Sequence, residues 1–310
     1  VHGSVLVKNG ELIAAAGRSS YLDGGLQLYR LDPLTGKEIS KTSVFSPDPE
    51  TGKQPQDPNA KDVHGALNDI LSAVGDDVYM RHLKLDFKTG VQTGSGTHLF
   101  SPLGFLDDTW WHRAYWLVND KFTSHWSGWH RDGNTSPSGR ILSYDKDSIF
   151  GFGRDKYPSG NTGQWRGGEK YHLFALLRGD QAKATPPPKQ PKGRRKPAPK
   201  PPKYAWTTSV PLLGKAMFAT ENALFVAGPP NLVKPEGTGE AALRLRNPDQ
   251  VRDAWDGKKG GVLWVASVEN GSKLSEYKLK SPPVFDGMAA GNGRVFIATA
   301  DGKIVCFSER

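Results

Sequence analysis

One short unit recurs along this chain, and it restricts the folds open to it more than any other feature. The unit is a strand, a turn of Asn, Asp, Gly or charged residues, and a second strand opening on two or three apolar residues. Its copies span residues 4–14, 70–80, 141–150, 216–226 and 288–297. Counted from the first apolar residue of the second strand they fall at Leu12, Val78, Ile149, Leu224 and Val295, with spacings of 66, 71, 75 and 71. A short polar turn between β-rich segments is a hairpin signal, and recurrence at a long, near-constant period marks a repeat architecture.

Several copies continue into a third strand, at 25–31, 261–266 and 302–307, and one into a fourth at 273–279. Four antiparallel strands repeated radially make a propeller blade. The expected fold is therefore an all-β propeller with four-stranded antiparallel blades, about five of them in a single region covering residues 1–310. Gly and Pro supply 59 of the 310 residues, which disfavours a helical bundle. A blade needs about 40 to 50 residues, so this spacing calls for insertions. The candidates are 46–66, 101–139, 183–203 and 229–260. Within the last, Asn247 followed by Pro248 predicts a short helix to Trp255, capped by Asn247.

The formal charge of +9 looks like a nucleic-acid footprint until it is located. Eight basic residues (Lys183, Lys189, Lys192, Arg194, Arg195, Lys196, Lys200 and Lys203) lie in 183–203 with eight prolines and no acid. The rest of the chain carries only +1. Such a tract cannot bury apolar surface, and we expect a disordered insertion over 182–203, with weak polyanion binding or docking of a Pro-recognising module as its functional alternatives. The flanking stretches 171–177 and 204–210 both read as strands. The tract is thus an insertion between neighbouring strands of one sheet, not a domain boundary.

The longest wholly apolar run, Leu12 to Ala16, is too short to span a membrane. The start Val1-His2-Gly3 points to a processed protein or a piece of a longer one, with an incomplete ring whose missing blades lie upstream. One cysteine excludes an intramolecular disulfide framework. Cys306 alternates with Ile304 and is expected as a small buried hydrophobe.

The turn Asp32-Pro33-Leu34-Thr35-Gly36, weakly repeated as Asp86-Phe87-Lys88-Thr89-Gly90, resembles the repeat turn of PQQ-like, quinoprotein-type β-propellers, a family that includes the assembly lipoprotein BamB. The stretches 104–113, 227–230 and 281–290 are similar to a bacterial subgroup of PQQ-binding-like repeat proteins. The resemblance covers most of the chain outside the basic tract, and it implies a fold more than an activity. It also implies an extracytoplasmic setting, periplasm or cell envelope. The dehydrogenases of this family set a docking tryptophan four residues after the turn glycine, where this chain has Ser40 and Gly94. They hold their quinone beneath adjacent cysteines, and their calcium ligands and catalytic Asp match no motif here. The expectation is no cofactor and no bound metal.

The most unusual segment is 107–131, with five of the nine tryptophans: Trp110, Trp111, Trp116, Trp126 and Trp129. Asp107, Asp108, His112 and Arg113 accompany them. This set offers metal ligands in Asp107, Asp108 and His112, stacking faces for a flat ligand or sugar, or an acid–base pair in Asp108 and His112. The competing interpretation is structural, with Trp110, His112, Ala114 and Trp116 on one strand face between blades. His64, His82, His98 and His172 are scattered singles, expected to be structural or exposed.

The function expected from the sequence is a non-catalytic scaffold or recognition propeller. It would bind a protein partner or cell-envelope polymer through its blade loops. The alternatives are a divergent PQQ-dependent oxidoreductase and a carbohydrate-binding propeller using 107–131.

Overall fold

A computed structural model describes residues 5–53, 68, 70–80, 83–94, 96–100, 116–120, 128–155, 157, 170–178, 201–237 and 244–308. The chain is all-β. Among the described residues it forms six antiparallel sheets of three or four strands, each an up-and-down run of neighbours in chain order. The chain divides into two compact units, 1–107 with 115–128, and 108–114 with 129–310.

In the first unit, β1 (Leu6–Lys8), β2 (Glu11–Ala16), β3 (Leu26–Leu31) and β4 (Glu38–Val44) form one sheet. The β1–β2 turn is Asn9-Gly10, with φ of 52° and 77°. Positive φ at both positions gives the turn twist that matches paired strands, which Asn and Gly tolerate best. A second sheet holds β5 (Leu71–Val74), β6 (Asp77–Met80), β7 (Leu83–Asp86) and β8 (Gln92–Gly94). β9 (His98–Phe100) then pairs with β10 (Trp116–Asn119), Leu117 opposite Phe100. The first strands lie side by side, β1 against β5 and β5 against β9. Ile13, Leu26, Leu28, Leu71, Val78, Met80 and Leu85 form the core between the first two sheets.

The second unit contains α1 (Gly128–Thr135), β11 (Ser138–Gly139) and three sheets. The first sheet is β12 (Ile141–Tyr144), β13 (Ser148–Arg154), β14 (Tyr171–Leu177) and β15 (Trp206–Thr208). The next is β16 (Ala216–Ala219), β17 (Ala223–Gly228), β18 (Gly261–Ser267) and β19 (Lys273–Leu279), with α2 (Pro248–Trp255) inserted between β17 and β18. The last is β20 (Pro283–Gly291), β21 (Arg294–Thr299) and β22 (Ile304–Ser308). First strands again adjoin, β12 against β16 and β16 against β20. Sheets in chain order, each leading with its first strand beside the previous one, are how propeller blades stack.

Three expectations need revision. The 101–139 segment is not a plain insertion, because β10, α1 and β11 lie within it. That makes six sheets where the sequence showed five repeats. The 71-residue step from Val78 to Ile149 passes over a whole sheet whose strands are short beside their connections. Cys306 is exposed, not buried. Its alternation with Ile304 is real, but Ile304 is 74% exposed and both lie on the outward face of β22, while Val305 and Phe307 turn inward. Tryptophan docking is also present, at Trp206. Its indole Nε1 donates to the Val268 carbonyl at 2.9 Å, tying β15 to the turn after β18.

The Asp-x-x-Thr-Gly turns are built as the sequence implies. Asp32 and Asp86 each accept the N–H of the following Thr at 2.7 and 2.8 Å, and its hydroxyl at 2.8 and 2.9 Å. The turn glycines close on the Asp carbonyls with φ of 70° and 68°. Asp48 to Gly52 forms a third copy after β4. The predicted helix is present as α2. Asn247, however, makes no side-chain cap; its amide donates to the Leu232 carbonyl at 2.8 Å, fixing the insertion to itself. Among the described residues no helix is long and apolar enough to cross a membrane.

Candidate functional site

Asp107, Asp108, Trp110, Trp111, His112, Arg113 and Trp126 lie outside the described residues, as do Lys183, Lys189, Arg194, Arg195 and Lys196. Trp116 opens β10 and is half-buried; Trp129 falls in the first turn of α1. His98 is a core residue: its ring stacks on Tyr79 at 4.1 Å and its Nδ1 meets the Gly96 carbonyl at 2.6 Å. His172 is packed between the rings of Phe174 and Tyr204, and burial pulls its pKa down.

A different cluster forms in the second unit. Arg140 stands directly before β12, its N–H bonded to the Phe152 carbonyl at 2.8 Å. Lys215 stands directly before β16, its N–H on the Ala227 carbonyl at 2.8 Å. The Lys215 carbonyl in turn accepts the N–H of Asp286 on β20 at 2.8 Å. The last of these bonds ties β20 to the start of β16, while the first two hold Arg140 and Lys215 to the second strands of their own sheets. In an up-and-down sheet the start of the first strand and the connection from second to third strand share an end. The 229–260 insertion therefore leaves its sheet at the end where Lys215 sits, and it delivers Trp255, the last residue of α2, over both cations.

The Lys215 ammonium lies 4.2 Å from the centroid of the Trp255 ring. The Arg140 guanidinium lies 5.1 Å from that ring and 6.0 Å from Phe285. Each such contact contributes about 0.5–2 kcal/mol, more where water is excluded. Arg140 is 1% exposed, whereas Lys215 is half-buried. Burial lowers the Arg140 pKa to about 10, the Tyr171 phenol acting the other way. Burial, and then repulsion from Arg140, lowers Lys215 to about 8. A buried cation thus stands beside a half-buried one under a single indole.

The rest of the region fixes this cluster. Phe152 stacks on Tyr171 at 5.5 Å, and Gly214 stands where any Cβ would come within 2.9 Å of the Phe152 ring. The quinone site implied by the resemblance does not fit these residues: its adjacent cysteines have no counterpart, and Cys306 lies exposed on β22. Among the described residues no three His, Cys, Asp or Glu gather as metal ligands.

Sequence inspection missed Arg140 and Lys215, although a signal exists. Each lies nine residues before its repeat's anchor, Ile149 or Leu224, and Asp286 lies nine before Val295. Aligning the repeats puts charged residues in one column.

No protein-family model matches the chain, and no curated protein matches it. Solved structures do. The computationally designed Ika8 protein is 10% identical with a TM-score of 0.44, over 98% of this chain and 70% of that one. BamB from Moraxella catarrhalis is 12% identical with a TM-score of 0.39, over 99% of this chain and 85% of its own. A europium-containing methanol dehydrogenase is 14% identical with a TM-score of 0.34, over 99% and 68%. These scores and identities give the chain no activity. Its fold rests on its own sheets: an all-β chain of propeller-type blades.

Proposed function

We propose that this chain is a non-catalytic propeller region acting as a scaffold or recognition module through its blade loops. The observation that carries this is the delivery of Trp255, by the 229–260 insertion, over Arg140 and Lys215. The loop contributes an aromatic face and the strand starts contribute positive charge, which is chemistry for holding a ligand.

The test supplies the purified chain with PQQ and calcium and follows dye-linked alcohol oxidation. No turnover above a protein-free control is expected. Sustained, protein-dependent turnover would make it an oxidoreductase and defeat the recognition reading.

A further inference from the structure

We infer that the outer edge of β22 is a self-association surface. On it β22 of a second copy of this chain pairs antiparallel, with Cys306 opposite Cys306. The inference concerns a sheet edge and does not depend on the scaffold reading above.

β22 is the third strand of its sheet and, among the described residues, the last, where the neighbouring sheet has a fourth. The Thr299 N–H donates to the Lys303 carbonyl at 2.8 Å, and the pairing with β21 then runs on without a bulge. Main-chain groups alternate in direction along an antiparallel strand. Val305 and Phe307 therefore bond to β21, while Ile304, Cys306 and Ser308 turn their N–H and C=O groups outward. The side chains divide in the same way. Phe307 packs with Ile297 and Met288 against the neighbouring sheet, whereas Ile304 and Cys306 are exposed.

The fourth strands of the other sheets are guarded. β8 and β15 are three residues long. β4 and β19 pair through bulges and carry charge, Glu38 and Lys41 on the one, Lys273, Glu276 and Lys278 on the other. Shortness, bulges and charge are what keep an edge from pairing with another chain. β22 has five residues, no bulge, no proline and no charge.

The register names the occupant. A two-fold axis at Cys306 sets Ile304 of each copy opposite Ser308 of the other, so outward donors meet outward acceptors in about six main-chain hydrogen bonds. The same axis puts Val305 opposite Phe307, a β-branched side chain against an aromatic ring in the closer, non-hydrogen-bonded position. Read on in sequence, Lys303 falls opposite Glu309 of the second copy, so the flanks oppose unlike charges. An unrelated strand would match the main chain alone.

The experiment is sedimentation equilibrium of the 310-residue chain under reducing conditions, where a monomer–dimer equilibrium is expected. Cys306→Lys and Cys306→Glu each set like charges face to face at the axis and should weaken it about tenfold or more. The Cys306 side chain is exposed, so both variants are expected to keep the wild-type melting temperature. An equimolar mixture of the two should restore the dimer, because opposite charges then meet. A peptide of residues 303–310 should dissociate the wild-type dimer without any substitution. A monomeric wild type, or a dimer that neither the variants nor the peptide weaken, overturns the inference. A mixture that stays monomeric overturns the register. A monomeric chain that binds an unrelated peptide of alternating Val and Thr gives the edge to another protein's strand and overturns the choice of a second copy.

Discussion

Trp206 and Gly271 meet face to face. A Cβ on Gly271 would come within 2.5 Å of the Trp206 ring, and the same indole donates to the Val268 carbonyl at 2.9 Å. The turn following β18 thereby docks on the outer strand of the preceding sheet. The first unit repeats the joint with smaller parts. Thr42 on β4 donates to the Thr89 carbonyl at 2.7 Å, and Gly90 stands where a Cβ would come within 2.9 Å of Thr42 Cβ.

This joint is testable at Gly271. Its φ is 71°, so a side chain brings backbone strain together with the ring clash. Gly271→Val is expected to destabilise the second unit by about 2–4 kcal/mol, from strain and overpacking combined. Trp206→Phe, which keeps an aromatic face but loses the Nε1–H donor and part of the indole, should cost about 1–3 kcal/mol. Chemical denaturation checks both, and a Gly271→Val variant as stable as wild type would remove the docking role.

The Asp turns respond to acid. In Asp32, Asp48 and Asp86 the N–H and hydroxyl of the following Thr hold the carboxyl below its ordinary pKa. Because the folded value is depressed, the stabilisation is complete above the unfolded pKa near 3.9 and is lost as pH falls through the folded value. Asp86→Ala should lower the melting temperature at pH 7 by a few degrees, and the gap to wild type should close as the carboxyl is protonated in acid. A gap that persists unchanged in acid would show that the carboxylate's charge plays no part.

Much of the fold was legible because turn chemistry is local. Asn9-Gly10, Asn292-Gly293 and the Asp-x-x-Thr-Gly turns state their conformation in a few residues. The β9–β10 pairing was not legible, since strands of three and four residues separated by 101–115 carry no alternation to detect. The site was harder still. Arg140 and Lys215 are 75 residues apart and meet only because β12 adjoins β16, a relation that exists in the sheet stacking and in no local motif.

Lys215 also makes a stability prediction. Its folded pKa of about 8 lies below its ordinary 10.5, so between those values the unfolded chain keeps a proton that the fold has released. Stability contributed by this group therefore rises with pH from about 8 toward 10.5. Arg140, whose charge helps to lower Lys215, stays protonated across most of that window. Lys215→Met should be more stable than wild type at pH 7, and the difference should shrink as pH rises to 10. A variant less stable than wild type at pH 7 would instead make Lys215 a structural residue.

The basic tract should be dispensable to the sheet around it. β14 and β15 pair directly, Leu173 opposite Thr208, Phe174 opposite Thr207 and Ala175 opposite Trp206, and the Ala205 N–H continues the ladder to the Ala175 carbonyl at 2.8 Å. The two strands are neighbours in an antiparallel run, so a short turn suffices to join them. Closing a longer loop costs only about 0.6 kcal/mol per doubling of its length, so shortening it returns a small amount. Replacing 182–202 by an Asn-Gly turn is expected to leave the melting temperature unchanged or slightly raised. The same variant should lose retention on heparin, because the tract holds eight of the nine net positive charges and such binding weakens steeply with salt. A collapsed fold would mean that the tract packs on the blades. Undiminished heparin retention would move polyanion binding to another surface, with Lys215 the first position to test.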